Sequence, residues 1–130
     1  MMRAVTLRCV IVDDSSAVLR AASELLESEG IAVVGLAATG EQAVRLREEL
    51  KPDVMLIDID LGPESGFDVA RRLAQARDGA RTRTILISTH DEADFVKLIA
   101  ASPAIGFLPK SDLSATAIER LVDRAGGDGY

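Results

Sequence analysis

No stretch of this sequence holds the ~18 consecutive apolar residues that a helix needs to span a bilayer, so no membrane-crossing helix is expected. The N-terminus, Met1 to Ala4, lacks the long apolar segment of a secretory signal. Cysteine is nearly absent. Cys9 stands alone, which excludes an internal disulfide and a cysteine-based zinc site. Positive charge is in deficit: Lys and Arg number 15 against 21 Asp and Glu, for a net charge of −6 and a pI of about 4.7. That balance gives no basic surface for sequence-independent nucleic-acid binding. Internal repeats and low-complexity tracts are also lacking. These absences lead to an expected cytoplasmic location, with no direct nucleic-acid or membrane contact.

What is present is a well-packed chain. The hydrophobic share is 48% over 130 residues, with mean hydropathy +0.17. That length suits one domain, burying about two-thirds of its unfolded surface. The domain is expected over residues 1–125, with 126–130 as a frayed, glycine-rich tail.

The chain is organised around Asp53 to Asp58. Its apolar residues are continuous, which marks a strand buried on both faces. Such a strand aims its terminal carboxylate, Asp58, at the carboxyl edge of the sheet, where ligands bind in open α/β folds. Four further strands are expected at Cys9–Val12, 31–38, Thr84–Ser88 and 104–108. Helices alternate with them. The first is capped by Ser15 or Ser16 and buries Val18, Leu19, Ala22, Leu25 and Leu26, with Gly30 as its stop. Thr39 to Gln42 reads as a capping box for a helix reaching Leu50. A third helix opens between Ser65 and Asp68, and a fourth runs from Asp91 to Ala101, ended by Pro103. The last runs from about Leu113 to Ala125 and buries Ile118, Leu121 and Val122. Alternation of this kind implies right-handed βαβ crossovers. Five units fit a flavodoxin-like (βα)5 doubly wound parallel sheet of strand order 2-1-3-4-5, with its switch point between strands 1 and 3.

Each polar residue at a strand end has an ordinary structural reading. Asp13 and Asp14 suit a helix cap, and so does Ser88. Lys110 reads as a surface lysine, His90 as a solvated loop residue, and Cys9 as a small buried hydrophobe. Their joint placement says more, because Asp13, Asp14, Asp58, Ser88 and Lys110 all fall at the same rim of a parallel sheet. Three carboxylates there repel one another, and a hard cation with oxygen ligands relieves them. Mg²⁺ commonly binds through one or two carboxylates with water and phosphate oxygens. A lysine and a hydroxyl opposite would hold the remaining oxygens of a phosphoryl group. These are the parts of a phosphoryl acceptor site.

From about Leu7 to Ala125 the chain resembles a response-regulator receiver domain. Asp13 and Asp14 match that family's metal-binding acids and Asp58 its phosphoacceptor. Ser88 stands at its Thr/Ser switch position, Lys110 at its lysine, and Phe107 at its rotating aromatic. Asp60 occupies the place whose main-chain carbonyl completes the metal shell, and Gly66 matches a family glycine. Two departures are visible: Ser111 follows Lys110 where a proline is usual, and Pro63 lies one place late in the loop after the acceptor. The run Gly106 to Ser111 resembles receivers that carry helix-turn-helix output domains.

The resemblance implies two-component signalling. A sensor histidine kinase or a phosphotransfer protein donates a phosphoryl group to Asp58, with Mg²⁺ bound by Asp13, Asp14, Asp58 and Asp60. Ser88 and Lys110 then move to the new oxygens, Phe107 turns inward, and the face of the fourth helix, fifth strand and fifth helix changes. A homodimer on activation through that face is compatible with this scheme. The chain would be a switch that catalyses only its own phosphorylation and dephosphorylation. The rival reading is a haloacid-dehalogenase-like phosphatase using Asp58 and Asp60, but that motif normally follows a first strand. Gly35 to Gly40 has the outer glycines of a P-loop, with Glu41-Gln42 in place of the required Lys-Ser/Thr.

Overall fold

A computed structural model describes residues 6–75 and 82–127. Among them, β1 (Arg8–Val12), β2 (Ala32–Ala37), β3 (Val54–Asp58), β6 (Arg83–Ser88) and β7 (Gly106–Pro109) form one sheet. Its order is β2-β1-β3-β6-β7, all parallel, which is the expected 2-1-3-4-5 arrangement. Helices α1 (Ser16–Ser28), α2 (Gly40–Leu50), α3 (Gly66–Ala74), α4 (Val96–Ala100) and α5 (Ala115–Gly127) connect and flank it. A short antiparallel pair, β4 (Asp60–Leu61) and β5 (Glu64–Ser65), lies between β3 and α3.

Strand side chains alternate between faces, so the continuous apolar runs feed two separate cores. Cys9, Ile11, Leu56 and Ile87 point to one face, where Leu26 of α1 and Ile118 of α5 pack without exposure. Val10, Met55, Ile57 and Leu86 point to the other, against Val69 and Ala70 of α3 and the ring of Phe107. Each fully buried aliphatic side chain of this size contributes roughly 1.5–3 kcal/mol. Cys9 behaves as the small hydrophobe expected: burial pushes its thiol up to about 12.

The caps largely follow the sequence. Ser15 Oγ accepts from the Val18 N–H and opens α1. Gly30, at φ 97°, turns the chain out of it in a region open to glycine. Thr39 Oγ1 accepts from the Gln42 N–H as a capping box requires, but Gln42 Oε1 reaches past Thr39 to the Ala38 N–H.

Several expectations need correction. Leu25 is 40% exposed, because the buried stripe of α1 is narrower and runs through Leu19, Ala22 and Leu26. The long fourth helix is a 3₁₀ turn, Glu92–Phe95, followed by the five-residue α4. Asp91 supplies no side-chain cap there, and only Phe95 and Ile99 of the segment lean on the core. The last strand and helix each start two residues late. Ser114 Oγ and Glu29 Oε1 take up the Ala117 and Ala115 N–H groups at the head of α5. That helix also continues through Gly126 and Gly127, since glycine weakens a helix by about 1 kcal/mol without breaking it. Leu121 and Val122 are partly rather than fully buried. Residues 1–5 and 128–130, with the N-terminus and the rest of the expected tail, lie outside the described residues.

Candidate functional site

Sheet register brings the expected residues to one edge. Val12 pairs with Ile57, Asp58 with Ile87, and Ser88 with Pro109, so the residues that follow leave the sheet together. Asp13 is held in line by its N–H on Ala37 O at 2.9 Å, and its Oδ1 accepts from the Ser15 N–H at 2.9 Å. Thus the acid pair and the helix cap are neighbours with separate jobs. Ser15 caps the helix, Asp13 is fully buried, and Asp14 faces solvent.

Asp58 is 5% exposed. Its Oδ1 accepts from the Asp60 N–H at 3.1 Å, and its Oδ2 accepts from Lys110 Nζ at 3.1 Å. Lys110 Nζ also lies 2.6 Å from Asp13 Oδ2, outside hydrogen-bond alignment. Burial raises the pKa of Asp58, and the Asp13 charge adds to this. The Asp60 N–H and Lys110 pull it back without cancelling it. Burial works to lower Lys110, yet the close contacts and charges of Asp13 and Asp58 together outweigh it and leave Lys110 raised. The two shifts do not mirror each other, as those of an isolated ion pair would. One ammonium serves two buried carboxylates, so the lysine is held charged while Asp58 stays under-compensated.

Carboxylate oxygens of Asp13, Asp14 and Asp58 lie within 4.8 Å of one another. At that spacing the two buried charges, Asp13 and Asp58, repel by roughly 3.5 kcal/mol at an effective dielectric of 20, while water screens the exposed Asp14. Three carboxylates and one ammonium leave a formal charge of −3 + 1 = −2. Asp13 Oδ2 is buried with no aligned hydrogen bond. A hard divalent cation with oxygen ligands matches this charge and this all-oxygen donor set, which therefore fits Mg²⁺. Asp60 joins differently: its carboxylate is exposed and outside the cluster, and its backbone N–H is what reaches Asp58.

Ser88 is 1% exposed, and its Oγ accepts from the His90 N–H at 2.9 Å, so it shapes the turn after β6 rather than capping a helix. That bond uses an oxygen lone pair and leaves the O–H donor available. His90 is exposed and sets an edge against Phe95, ring centroids 5.9 Å apart. Phe107 is only 7% exposed and already sits in the core on the α3 face. An inward turn of this ring therefore has no distance left to cover. Gly66 is required for space. A Cβ there would sit 2.1 Å from the backbone oxygen of Asp58, so α3 begins directly against the chain carrying the carboxylate.

The sequence reading missed the β4–β5 hairpin. Gly62, at φ 68°, forms its tip, and a Cβ on it would come 3.3 Å from Asp14 Oδ2. The late Pro63 is part of this turn. Gly62-Pro63 between Leu61 and Glu64 was the available signal, but two-residue strands are too short to show a period.

The family model for the response regulator receiver domain matches residues 9–122. The transcriptional regulatory protein PdtaR of Mycobacterium tuberculosis is 31% identical over 125 residues, 93% of this chain and 59% of that protein. A protein-glutamate methylesterase/protein-glutamine glutaminase of Aliivibrio fischeri is 34% identical over 80% of this chain and 28% of its own. The chain thus spans less than two-thirds of these relatives. Among solved structures, the receiver domain of the putative response regulator NarL from M. tuberculosis superposes with TM-score 0.78 at 31% identity, covering 94% of this chain and 98% of that one. A LuxR-family response regulator from Aurantimonas gives TM-score 0.80 at 30% identity, over 92% of this chain and 86% of that one. With the sheet order, the acid cluster at its carboxyl edge and a family match over residues 9–122, the chain belongs to the response regulator receiver domains, the signalling switches of two-component systems.

Proposed function

We propose that residues 1–125 act as one receiver unit and that Asp58 is its phosphoacceptor. The observation that carries this reading is the setting of Asp58: a buried carboxylate at the end of the central strand, flanked by two more acids and bridged by Lys110. A donor's phosphohistidine, on a sensor histidine kinase or phosphotransfer protein, meets an Asp58 carboxylate oxygen. The new O–P bond forms as the histidine N–P bond breaks, and the imidazole nitrogen keeps the electron pair. Asp13, Asp14 and Asp58, with the main chain of Asp60, would hold Mg²⁺, which when bound supplies charge neutralisation for the phosphoryl oxygens. Lys110 moves from its carboxylate pairs to the incoming oxygens, and the free Ser88 O–H donates to another. Ser88 ends β6 and Lys110 directly follows β7, so a local charge change there biases the adjoining α4–β7–α5 surface. The exposed Val96 and Leu98 on α4, 57% and 52%, give it an apolar contact face for a second copy on activation.

The phosphatase reading needs Asp60 to act as an acid beside Asp58, and its exposed side chain outside the cluster does not favour this. Incubation with acetyl phosphate and Mg²⁺ followed by intact mass tests the proposal. Wild type should gain one phosphoryl group, and Asp58→Asn should gain none. A gain at wild-type rate in the variant would falsify the assignment. Rapid turnover of a small phosphate ester would instead favour the phosphatase.

A further inference from the structure

The hairpin after Asp58 is fastened from outside by one residue. Glu64 on β5 extends its carboxylate to α2, where Oε2 accepts from the Gly40 N–H at 2.9 Å across 24 positions of sequence. Gly40 is the first residue of α2, and Thr39 already serves the Gln42 N–H, so Glu64 satisfies a second donor at the same helix end. A carboxylate there also meets the favourable end of the helix dipole. Its other oxygen lies 3.7 Å from Arg72 Nη1 on α3. A Cβ on Gly40 would come 2.5 Å from Glu64 Oε1, so the contact depends on glycine at that position.

What this fastening holds is the wall of the acid site. β4 begins at Asp60, whose N–H fixes Asp58 Oδ1, and the hairpin tip at Gly62 lies beside the Asp14 carboxylate. Asp60 pairs with Ser65 and Leu61 with Glu64, so the fastened strand and the strand touching Asp58 are one ladder. We propose that Glu64 is a positioning residue that clamps this hairpin to α2, setting the site's affinity for Mg²⁺ and shielding a phosphoryl group on Asp58 from water.

The Mg²⁺ half of the proposal stands on the acid cluster alone, while the shielding half rests on the function proposed above. Three readouts separate them: the NMR shift of the Gly40 amide, Mg²⁺ binding by calorimetry, and the acyl-phosphate half-life after acetyl phosphate is removed. Glu64→Ala should move the Gly40 amide, weaken Mg²⁺ binding about tenfold, as loss of a supporting partner does elsewhere, and shorten the half-life. Glu64→Gln keeps an acceptor for Gly40 and should restore all three. Gly40→Ala displaces the same carboxylate without altering Glu64, although its Cβ also comes 2.8 Å from Val69 Cγ2, so with its fold checked by circular dichroism it should reproduce the weakening. Wild-type Mg²⁺ affinity in a folded Glu64→Ala or Gly40→Ala protein overturns the clamp, and so does a glutamine variant as weak as the alanine one. A wild type that binds Mg²⁺ but never takes up a phosphoryl group removes the acceptor reading while leaving the clamp to be judged by the other two readouts.

Discussion

Lys110 Nζ sits closer to Asp13 than to Asp58: 2.6 Å from Asp13 Oδ2, against 3.1 Å from Asp58 Oδ2. The lysine expected to pair with the acceptor therefore balances the fully buried acid of β1's end as well. It ties the ends of β1, β3 and β7 into one unit.

Removing that lysine should be expensive. Lys110→Ala leaves the Asp13 charge buried without a cation, and breaking such a pair destabilises by about 3 kcal/mol. Urea unfolding in metal-free buffer should show a loss of that order, and millimolar Mg²⁺ should restore part of it. An unchanged midpoint would mean that the ammonium does not neutralise the acids.

Asp58 gives a pH signature. Its folded pKa is raised, chiefly by burial, so the fold favours its protonated form. Its contribution to stability is fully present below the unfolded value of 3.8 and is lost as pH rises through the folded value. Asp58→Asn removes this penalty and should melt higher than wild type at neutral pH without metal. The advantage should shrink as pH falls toward the ordinary carboxylate range. The raised pKa of Lys110 does not interfere, because it titrates far above this window. A variant less stable than wild type at pH 7 would contradict the sign.

Mg²⁺ should stabilise the fold. A ligand at about 100 times its Kd adds roughly 2.7 kcal/mol, so Tm should rise in millimolar Mg²⁺. Asp14 is the exposed member of the cluster, and Asp14→Ala should blunt the rise with little effect on the metal-free melt. A flat wild-type melt, with no heat of binding, would sink the metal assignment.

Ser88 tests how the site speaks to the surface. Its oxygen already anchors the His90 N–H, and its O–H remains to reach a phosphoryl oxygen. Ser88→Ala should remain phosphorylatable while weakening the chemical-shift changes that a beryllofluoride mimic causes along residues 90–122. Identical activated spectra for both proteins would show that the hydroxyl carries no coupling.

The strands and their order were legible in the sequence because they rest on one-dimensional signals. Continuous apolar runs ending in Asp13, Asp58, Ser88 and Lys110 specify buried parallel strands with polar groups at one edge, and capping residues place the helix starts. Periodicity failed where contact with the core is thin. The segment after Ser88 carries enough apolar residues for a long helix, yet only Phe95 and Ile99 find the core, and it breaks after one 3₁₀ turn. Tertiary structure alone decided the rest. Which acid of the pair is buried, which of two carboxylates Lys110 approaches, and how deeply Phe107 sits depend on register and on packing between strands far apart in sequence. The Glu64–Gly40 clamp is the clearest case. Glu64 has no periodic or motif signal, Gly40 shows only as part of the Thr39 to Gln42 cap, and only the fold brings a hairpin carboxylate to a helix end 24 positions away.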